Sequence, residues 1–308
     1  MKKMRKHGKM WKRFFGWMIC LAMVVGMLPV MEKKAQAEPV EETTAVDTVE
    51  SGIKWNKEKN YYEIWNYAGL YEFAKIVNGE SDKFDNNNAA NAILMADIIV
   101  TNEENLNYPW NPIGNLRIQY EGIFDGDGHT ITNLKVVKYL PGENKNVGFI
   151  GFVADGGIVR NVGLKDGSTE GSESVGGVVG RNQGTVTNCY NTGKVFGYST
   201  DVGGVVGTND AANSNGAIIE DCYNTGCVSG YADITVVGGV VGCSTAGIIT
   251  NCHNTGEVKG KSFIGGVAGL VTYGTVENSY NSGDVGTGDQ SFFYRRSGRS
   301  CLLWYSRK

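Results

Sequence analysis

The stretch Val175-Gly-Gly-Val-Val-Gly180 decides the fold of this chain, because the chain repeats it. Further copies stand at Val202–Gly207, Val237–Gly242 and Ile264–Gly269, with a looser copy at Val147–Gly151. Successive copies begin 28, 27, 35 and 27 residues apart. A period in this range is typical of stacked supersecondary units, and such an array usually acts through its surface rather than through one pocket.

A second phrase follows each full copy of the first. Its copies are Asn188-Cys-Tyr-Asn-Thr-Gly193, Asp221–Gly226, Asn251–Gly256 and Asn278–Gly283. Within one period we expect turns at Asn182–Gly184 and Asn191–Gly193, where Asn and Gly accept positive φ, and strands at Thr185–Tyr190 and Lys194–Phe196. Together with the Val-Gly phrase, this gives three short strands and three turns, which predicts one coil of a parallel β-helix. The step of 35 residues contains two departures from the 27-residue pattern, which predict loops at Thr208–Ala217 and around Ala232–Val236.

Stacked coils would bring equivalent residues within about 4.7–4.9 Å of one another and so form columns. The second phrase predicts three of them: a column of small side chains, a structural ladder of amides, and a column of rings. Their members are Cys189, Cys222, Cys252 and Ser279; Asn191, Asn224, Asn254 and Asn281; and Tyr190, Tyr223, His253 and Tyr280. We expect the rings to lie inward or half-buried. If they face outward, they are candidates for binding the faces of sugars.

These two phrases resemble the GLUG-motif family of bacterial secreted and surface proteins. The resemblance rests on Val-Gly-Gly-Val-Val-Gly followed by Asn-Cys-Tyr-Asn-Thr-Gly-x-Val, and it covers about Val147–Gly286. It implies a right-handed parallel β-helix and a surface role of the adhesin type, and it carries no catalytic residue over. Some members of the family contain zinc peptidases, but no His-Glu-x-x-His occurs in this sequence.

The N-terminal half predicts a cap for the solenoid. Apolar residues at helical spacing over Tyr67–Val77 predict one short α-helix, with Asn66 as its N-cap and Asn78-Gly79 as its stop. Strands are expected at Ala92–Thr101, at Trp110–Gly114 and on both sides of a glycine-rich turn within Tyr120–Ile131. A cap of this kind covers the open apolar end of a solenoid.

The first residues have the pattern of a secretory signal. Seven Lys or Arg within the first 15 residues precede an apolar run at Gly16–Val30, and Ala35-Gln-Ala37 predicts cleavage after Ala37. The run is shorter than the roughly 20 residues that a spanning helix needs, so we expect no membrane span after cleavage. Glu38–Gly52, which is acidic and poor in large apolar residues, is expected to be a flexible leader.

Charge argues against nucleic acid as a partner. Residues 38–286 contain 15 Lys and Arg against 30 Asp and Glu, and an acidic surface repels phosphate backbones. The basic tail Gly288–Lys308 breaks the repeat. Codons exist for Tyr294–Arg299 that encode Ile-Gly-Gly-Val-Ala-Gly when read one base out of phase, so we hypothesise a frameshifted or truncated end; the alternative is a short basic tail.

Asp125-Gly-Asp127-Gly-His129 is the most catalytic-looking cluster. Two carboxylates could act as acid and base on a glycoside, but the intervening glycines favour a structural turn. As a calcium loop the segment lacks the later oxygen ligands. His253 takes the place of a Tyr in the ring column, so a ladder role is favoured over catalysis.

Six cysteines remain after the signal, at 189, 222, 227, 243, 252 and 301. An even number in an exported chain allows disulfides, yet parallel Cβ vectors in a stack are poorly placed for them. We therefore favour free thiols that fill a column. No cysteine pair has the spacing of a metal site, and we expect neither metal nor cofactor.

The sequence as a whole predicts an all-β, exported, non-catalytic solenoid with an adhesion, scaffold or ligand-binding role in a larger bacterial extracellular protein. Its partners would be extracellular glycans or cell-surface proteins, and the chain itself would be a monomer. The alternative is a polysaccharide-degrading hydrolase or lyase that uses Asp125 and Asp127. The expected parts are a signal peptide at 1–37, a leader at 38–52, a cap with the first coils at 53–140, repeats at 141–286 and an aberrant tail at 287–308.

Overall fold

The computed structural model describes residues 52–137, 145–212, 216–233 and 235–287. The expected signal peptide, nearly all of the expected leader, the tail from Gly288 and Cys301 lie outside these ranges. Within them, the chain winds into seven coils of a parallel β-solenoid whose strands stack into four sheets. Each coil visits the sheets in the same order, and the pairing is parallel everywhere except in the first hairpin, where Ile53–Asn56 pairs antiparallel with Tyr61–Ile64.

The strands of all four sheets are short. In chain order, the first sheet contains Ile53–Asn56, Tyr61–Ile64, Ala92–Leu94, Ile123–Asp125, Ile158–Arg160, Thr185–Thr187, Ile218–Glu220, Ile248–Thr250 and Thr275–Glu277. The second contains Ile98–Ile99, Thr130–Thr132, Gly163–Lys165, Tyr190–Asn191, Tyr223–Asn224, His253–Asn254 and Tyr280–Asn281. The third contains Lys135–Val137, Lys145–Val147, Ser168–Gly176, Lys194–Gly203, Val228–Gly230, Val236–Gly238, Val258–Gly260, Phe263–Gly265 and Val285–Thr287. The fourth contains Ile150–Val153, Val179–Asn182, Val206–Asp210, Val241–Thr245 and Ala268–Thr272.

The prediction of three strands per coil is wrong in two places. The expected strand Thr185–Tyr190 is divided into Thr185–Thr187 of the first sheet and Tyr190–Asn191 of the second. The Val-Gly-Gly-Val-Val-Gly phrase is a corner rather than a strand. In Val202–Gly207, the third-sheet strand ends at Gly203 and the fourth-sheet strand begins at Val206. The chain bends at Gly204 and Val205 between them. All of the valines of this phrase are buried, so each arm of the corner, and the bend itself, supplies apolar side chains to the interior.

The second glycine of the corner lies where no side chain fits. A Cβ atom added to Gly204 would lie 2.2 Å from the carbonyl oxygen of Gly239 in the next coil and 2.4 Å from Cγ of Asn224. The equivalent glycines, Gly177, Gly239 and Gly266, face Asn191, Asn254 and Asn281 in the same way. The glycine corner and the asparagine of the second phrase therefore occupy one packed site.

Aliphatic side chains stack on one another in the interior of the coils. On the first sheet, for example, Val159 pairs in register with Val186, and Val186 with Ile219; all three are fully buried. Each coil alone exposes this face, so stability is mostly burial between nearest neighbours. The extra residues of the 35-residue step lie after Val206–Asp210 and between Gly230 and Val236; residues 213–215 and 234 are outside the described ranges.

The predicted cap helix, α1, spans Tyr67–Asn78. The Asn66 side chain accepts a hydrogen bond from the Gly69 amide at 3.0 Å, and the helix ends at Gly79 with φ of 78°. Phe73 is fully buried and packs against Phe124 of the first sheet, with ring centroids 6.0 Å apart. The helix thus joins the aliphatic interior to an aromatic N-terminal core.

The cap differs from the prediction in two places. A second helix, α2, spans Asn102–Asn107 and begins at a capping box: the Thr101 hydroxyl accepts from the Glu104 amide, and the Glu104 carboxylate accepts from the Thr101 amide. The expected strand Ala92–Thr101 is broken by a corner into Ala92–Leu94 and Ile98–Ile99. Among the residues described, neither helix has the length and apolar character that crossing a bilayer requires.

Trp110–Gly114 is not a strand either. Its only β-type pairing in the described structure is a single bridge from Ile113 to Ile150. Pro112 has no amide hydrogen to donate to a ladder, which explains why the segment does not pair further. Trp110 instead donates its indole N–H to the Phe149 carbonyl at 3.0 Å and lies buried in the cap.

The corner geometry predicts a large effect of one added methyl group. Gly204→Ala should lower the free energy of unfolding by about 1–3 kcal/mol, because the Cβ meets backbone that cannot move independently. Gly286→Ala is the matched control, since its nearest neighbour would be Cγ of Lys259 at 3.7 Å. Urea denaturation followed by circular dichroism measures both. Equal midpoints for the two variants would contradict this packing.

Candidate functional site

The ring column lies on the outer face of the second sheet. Each ring residue is the first residue of a two-residue strand, and an asparagine is the second. Successive side chains of a strand point to opposite faces, so the buried asparagines place the rings outside. Tyr190, Tyr223 and His253 are half-buried, and Tyr280 is 57% exposed. The rings therefore lie on the surface and are not part of the core.

The four rings form one continuous stack. Centroids are 4.7 Å apart for Tyr190 and Tyr223, 5.0 Å for Tyr223 and His253, and 5.0 Å for His253 and Tyr280. The angles between successive planes are 5°, 11° and 5°. The result is a regular row of parallel rings about 15 Å long that runs along the solenoid axis.

The column begins where the preceding coil has a glycine. Gly163 is the register partner of Tyr190, and a Cβ at Gly163 would lie 2.2 Å from Cζ of Tyr190. The Tyr190 ring therefore lies over the bare backbone of the coil before it. Burial, and secondarily the neighbouring Tyr190, raises the pKa of Tyr223, so its hydroxyl remains a neutral hydrogen-bond donor at physiological pH.

The amide ladder Asn191, Asn224, Asn254 and Asn281 holds these strands from the inside. In Asn224, Oδ1 accepts from the Gly226 amide at 3.2 Å and from Nδ2 of Asn191 at 3.1 Å. Its Nδ2 donates to the Gly226 carbonyl at 2.8 Å and to Oδ1 of Asn254 at 2.8 Å. Two donors and two acceptor positions are thus all used. The ladder continues from Asn254 to Asn281 at 2.7 Å.

A second amide ladder is present that sequence reasoning missed. Nδ2 of Asn182 donates to Oδ1 of Asn209 at 2.8 Å, and Nδ2 of Asn209 donates to the Ser244 hydroxyl at 3.2 Å. All three side chains are fully buried. The sequence did contain a signal for this ladder. Oδ1 of Asn182 accepts a hydrogen bond from the Gly184 amide at 3.1 Å, and this Asn-x-Gly spacing is the same as in the first ladder. The sequence predicted only a turn there.

The thiol column lies beside the first ladder. Cys189, Cys222 and Cys252 are fully buried and free, and each Sγ lies 3.1–3.2 Å from the carbonyl two residues before it. Ser279 repeats that bond with its hydroxyl, to the Glu277 carbonyl at 2.7 Å. Burial raises the pKa of Cys222 well above its ordinary value. These thiols are positioned as structural donors rather than as nucleophiles.

The cluster Asp125, Asp127 and His129 is not brought together at one point. The Asp125 carboxylate accepts from the Asp127 amide at 2.9 Å, from Nε of Arg160 at 2.8 Å and from Nδ2 of Asn161 at 3.0 Å. Asp127 is exposed in a turn at φ of 49°, and His129 lies 3.4 Å from Asp97 in the preceding coil.

The charge state of Asp125 also favours a structural role. Burial acts to raise its pKa, but the three hydrogen bonds, with the Arg160 charge, lower the pKa below its ordinary value. A carboxylate held in its ionised form by three donors ties two coils together and is poorly suited to donate a proton. Within the described ranges, no group of three or more His, Cys, Asp and Glu side chains is placed to hold a metal ion.

Comparison with known proteins identifies the repeat. A family model described as the GLUG motif matches residues 171–195 and 233–259. The chain carries GLUG motifs. The first matched segment begins within the third-sheet strand Ser168–Gly176, and the second begins just before the third-sheet strand Val236–Gly238. Each contains the glycine corner and the ring and amide positions and ends within the next third-sheet strand. The GLUG motif is thus the set of residues that builds one coil.

The chain is also similar to one curated protein and to one solved structure. Halomucin of Haloquadratum walsbyi (strain DSM 16790 / HBSQ001) is 31% identical over 173 residues, which is 55% of this chain; the chain spans only 2% of the length of halomucin. A crystal structure of a candidate immunoglobulin A1 protease from Bacteroides ovatus superposes with a TM-score of 0.60 at 21% identity, over 78% of this chain and 81% of that one. The second likeness is one of fold alone.

Together, the GLUG motifs, the halomucin relative and the solenoid fold support a repeat-containing extracellular protein.

The burial of the thiols predicts an order of chemical labelling. Among the described cysteines, with iodoacetamide at pH 8, half-buried Cys227 should react first, Cys243 more slowly, and the thiol column only after unfolding. Burial, and then Asp201, raises the pKa of Cys243 to about 11, and the thiolate is the reactive form. Its labelling rate should therefore rise about tenfold per pH unit until the pH approaches that value. Peptide mass spectrometry gives the rates; rapid native labelling of Cys222, or a disulfide at it, would contradict the structure.

Proposed function

We propose that this chain is a non-catalytic binding region of an extracellular repeat protein, and that its ring column contacts extended glycans. The observation that carries the proposal is the row of four parallel, partly exposed rings along the axis. A tyrosine offers an apolar body and a polar tip, which suits a sugar with its C–H faces and hydroxyls. A polymer lying along the axis would meet an equivalent surface at each coil.

The residues on both sides of the rings support this choice of ligand. On one side, Asp221 and Asn251 are exposed at left-handed corners, with φ of 52° and 55°. On the other side, Thr225 and Thr255 are exposed. Carboxylate, amide and hydroxyl groups at the edges of a ring row can pair with sugar hydroxyls. The platform is rigid because the amide ladder fixes each strand beneath it, which reduces the entropy lost on binding.

The other partner expectations belong to the same proposal. The acidic balance of residues 38–286 disfavours nucleic acid. A cell-surface protein remains the alternative ligand, and we propose that the chain acts as a monomer. The hydrogen bonds that engage Asp125 support a structural rather than catalytic use of that residue.

Glycan arrays test the proposal. The chain should bind a subset of extended glycans, and Tyr280→Ala and Tyr223→Ala should each weaken that binding about tenfold. Each change removes one ring edge and one hydroxyl from the row, and truncating an important aromatic contact costs more than about 1 kcal/mol of binding free energy. Tyr231→Ala is the matched control: Tyr231 is 67% exposed but lies outside the ring column. Binding that is unchanged in both column variants, or no binding to any glycan, would overturn the proposal.

A further inference from the structure

A concave surface lies in the cap, far along the chain from the ring column. Trp55 and Tyr62 of the first hairpin, together with the loop 81–87, line an open cleft of about 610 Å³. That volume is within the range of small-molecule sites in proteins, about 300–1,000 Å³. Neither the repeats nor the GLUG motifs contribute to it.

The loop that lines the cleft is fixed before any ligand arrives. The Ser81 hydroxyl donates to the buried Glu72 carboxylate at 2.7 Å and accepts from the amides of Lys83 at 3.2 Å and Phe84 at 3.0 Å. The Asn86 side chain accepts from the Ser81 amide at 3.0 Å. Because these bonds anchor the loop to α1, its polar groups are held in place, and binding would not have to order them.

The aromatic residues of the cleft present one open ring. Trp55 is 40% exposed, whereas Tyr62 is 8% exposed and supports it at a centroid distance of 4.8 Å. Phe84 packs edge-on against Tyr62 at 5.6 Å, so its own ring is engaged there. A single supported indole suits stacking against the C–H face of one ligand ring, whereas a cage for an ammonium group would need several open ring faces.

The polar groups of the cleft indicate the charge of its ligand. Asp82 and Asp85 are exposed carboxylates that can accept from hydroxyls, and Asn87 adds an amide. Lys83 is the one cation among the lining residues, and its Nζ lies 4.0 Å from the Glu72 carboxylate. Burial, and then the Asp85 carboxylate, raises the pKa of Tyr62, which agrees with Asp85 facing the same cleft. The excess of acid disfavours an anionic ligand.

We propose that this cap cleft binds a neutral saccharide of one or two units, with its ring stacked on Trp55 and its hydroxyls donating to Asp82 and Asp85. The size of the cleft, its single open indole and its carboxylates favour this class over a quaternary ammonium compound or an acidic sugar. The cap cleft shares no residue with the ring column, so each of the two sites can be tested separately.

Isothermal titration of the full chain tests the site with glucose, galactose, N-acetylglucosamine, cellobiose, glucuronate and choline. At least one neutral sugar should bind with a millimolar or tighter Kd. Trp55→Ala should weaken it tenfold or more, and the nearly isosteric Asp85→Asn should weaken it several-fold without disturbing the fold. Tyr280→Ala, which alters only the ring column, should leave it unchanged.

Three results would overturn the proposal. The first is no binding of any neutral sugar on the panel. The second is binding of choline or glucuronate in preference to the neutral sugars. The third is sugar binding that survives both Trp55→Ala and Asp85→Asn but is lost in Tyr280→Ala, which would place the site on the ring column and support the proposed function instead.

Discussion

One buried contact organises the solenoid: the carboxamide of an asparagine lying against a glycine that has no side chain. In each repeat, the second glycine of the corner leaves the space that the amide of Asn191, Asn224, Asn254 or Asn281 fills. The amide then bonds to its own loop and to the amides of the coils before and after it. A buried amide with all its groups paired fixes the register between coils, whereas an unpaired one would cost about 1–3 kcal/mol.

This contact explains why two phrases recur together. The glycine corner and the Asn-x-Gly loop are far apart in a coil, so neither requires the other locally. They co-occur because they pack on each other across the interior. The same two-residue strand that buries the amide must turn its other side chain outward. The outward position of the ring column is therefore a consequence of the amide ladder, and it leaves the rings on a surface that a ligand can reach.

Several repeated features could be predicted from the sequence. The period, the columns and the cap helix with Asn66 and Gly79 at its ends all follow from spacing and turn chemistry. The direction in which the rings face did not follow, because the sequence does not show that each ring shares a two-residue strand with an asparagine whose side chain points inward. The sequence also did not predict that Val202–Gly207 is a corner, because valine-rich phrases resemble strands and only the coil geometry shows the bend.

What does not repeat was harder to foresee. The helix α2 had a readable capping box at Thr101 and Glu104, but it is short and adjoins a strand-like segment. The cap cleft depends on a loop held by Glu72 and Ser81, which are nine residues apart and have no motif in common. The second amide ladder had the same Asn-x-Gly signal as the first, yet Asn209 and Ser244 do not share a residue type, so no column was visible.

If the corner glycine and the ladder asparagine act as one packed unit, a double-mutant cycle on Gly204→Ala and Asn224→Ala measures their coupling directly. Removing the Asn224 side chain frees part of the space that the new Cβ needs. The double variant should therefore be less destabilised than the sum of the single variants, by about 1 kcal/mol or more in the free energy of unfolding. Additivity within about 0.5 kcal/mol would show that the two positions are energetically independent and would contradict their joint role in the solenoid.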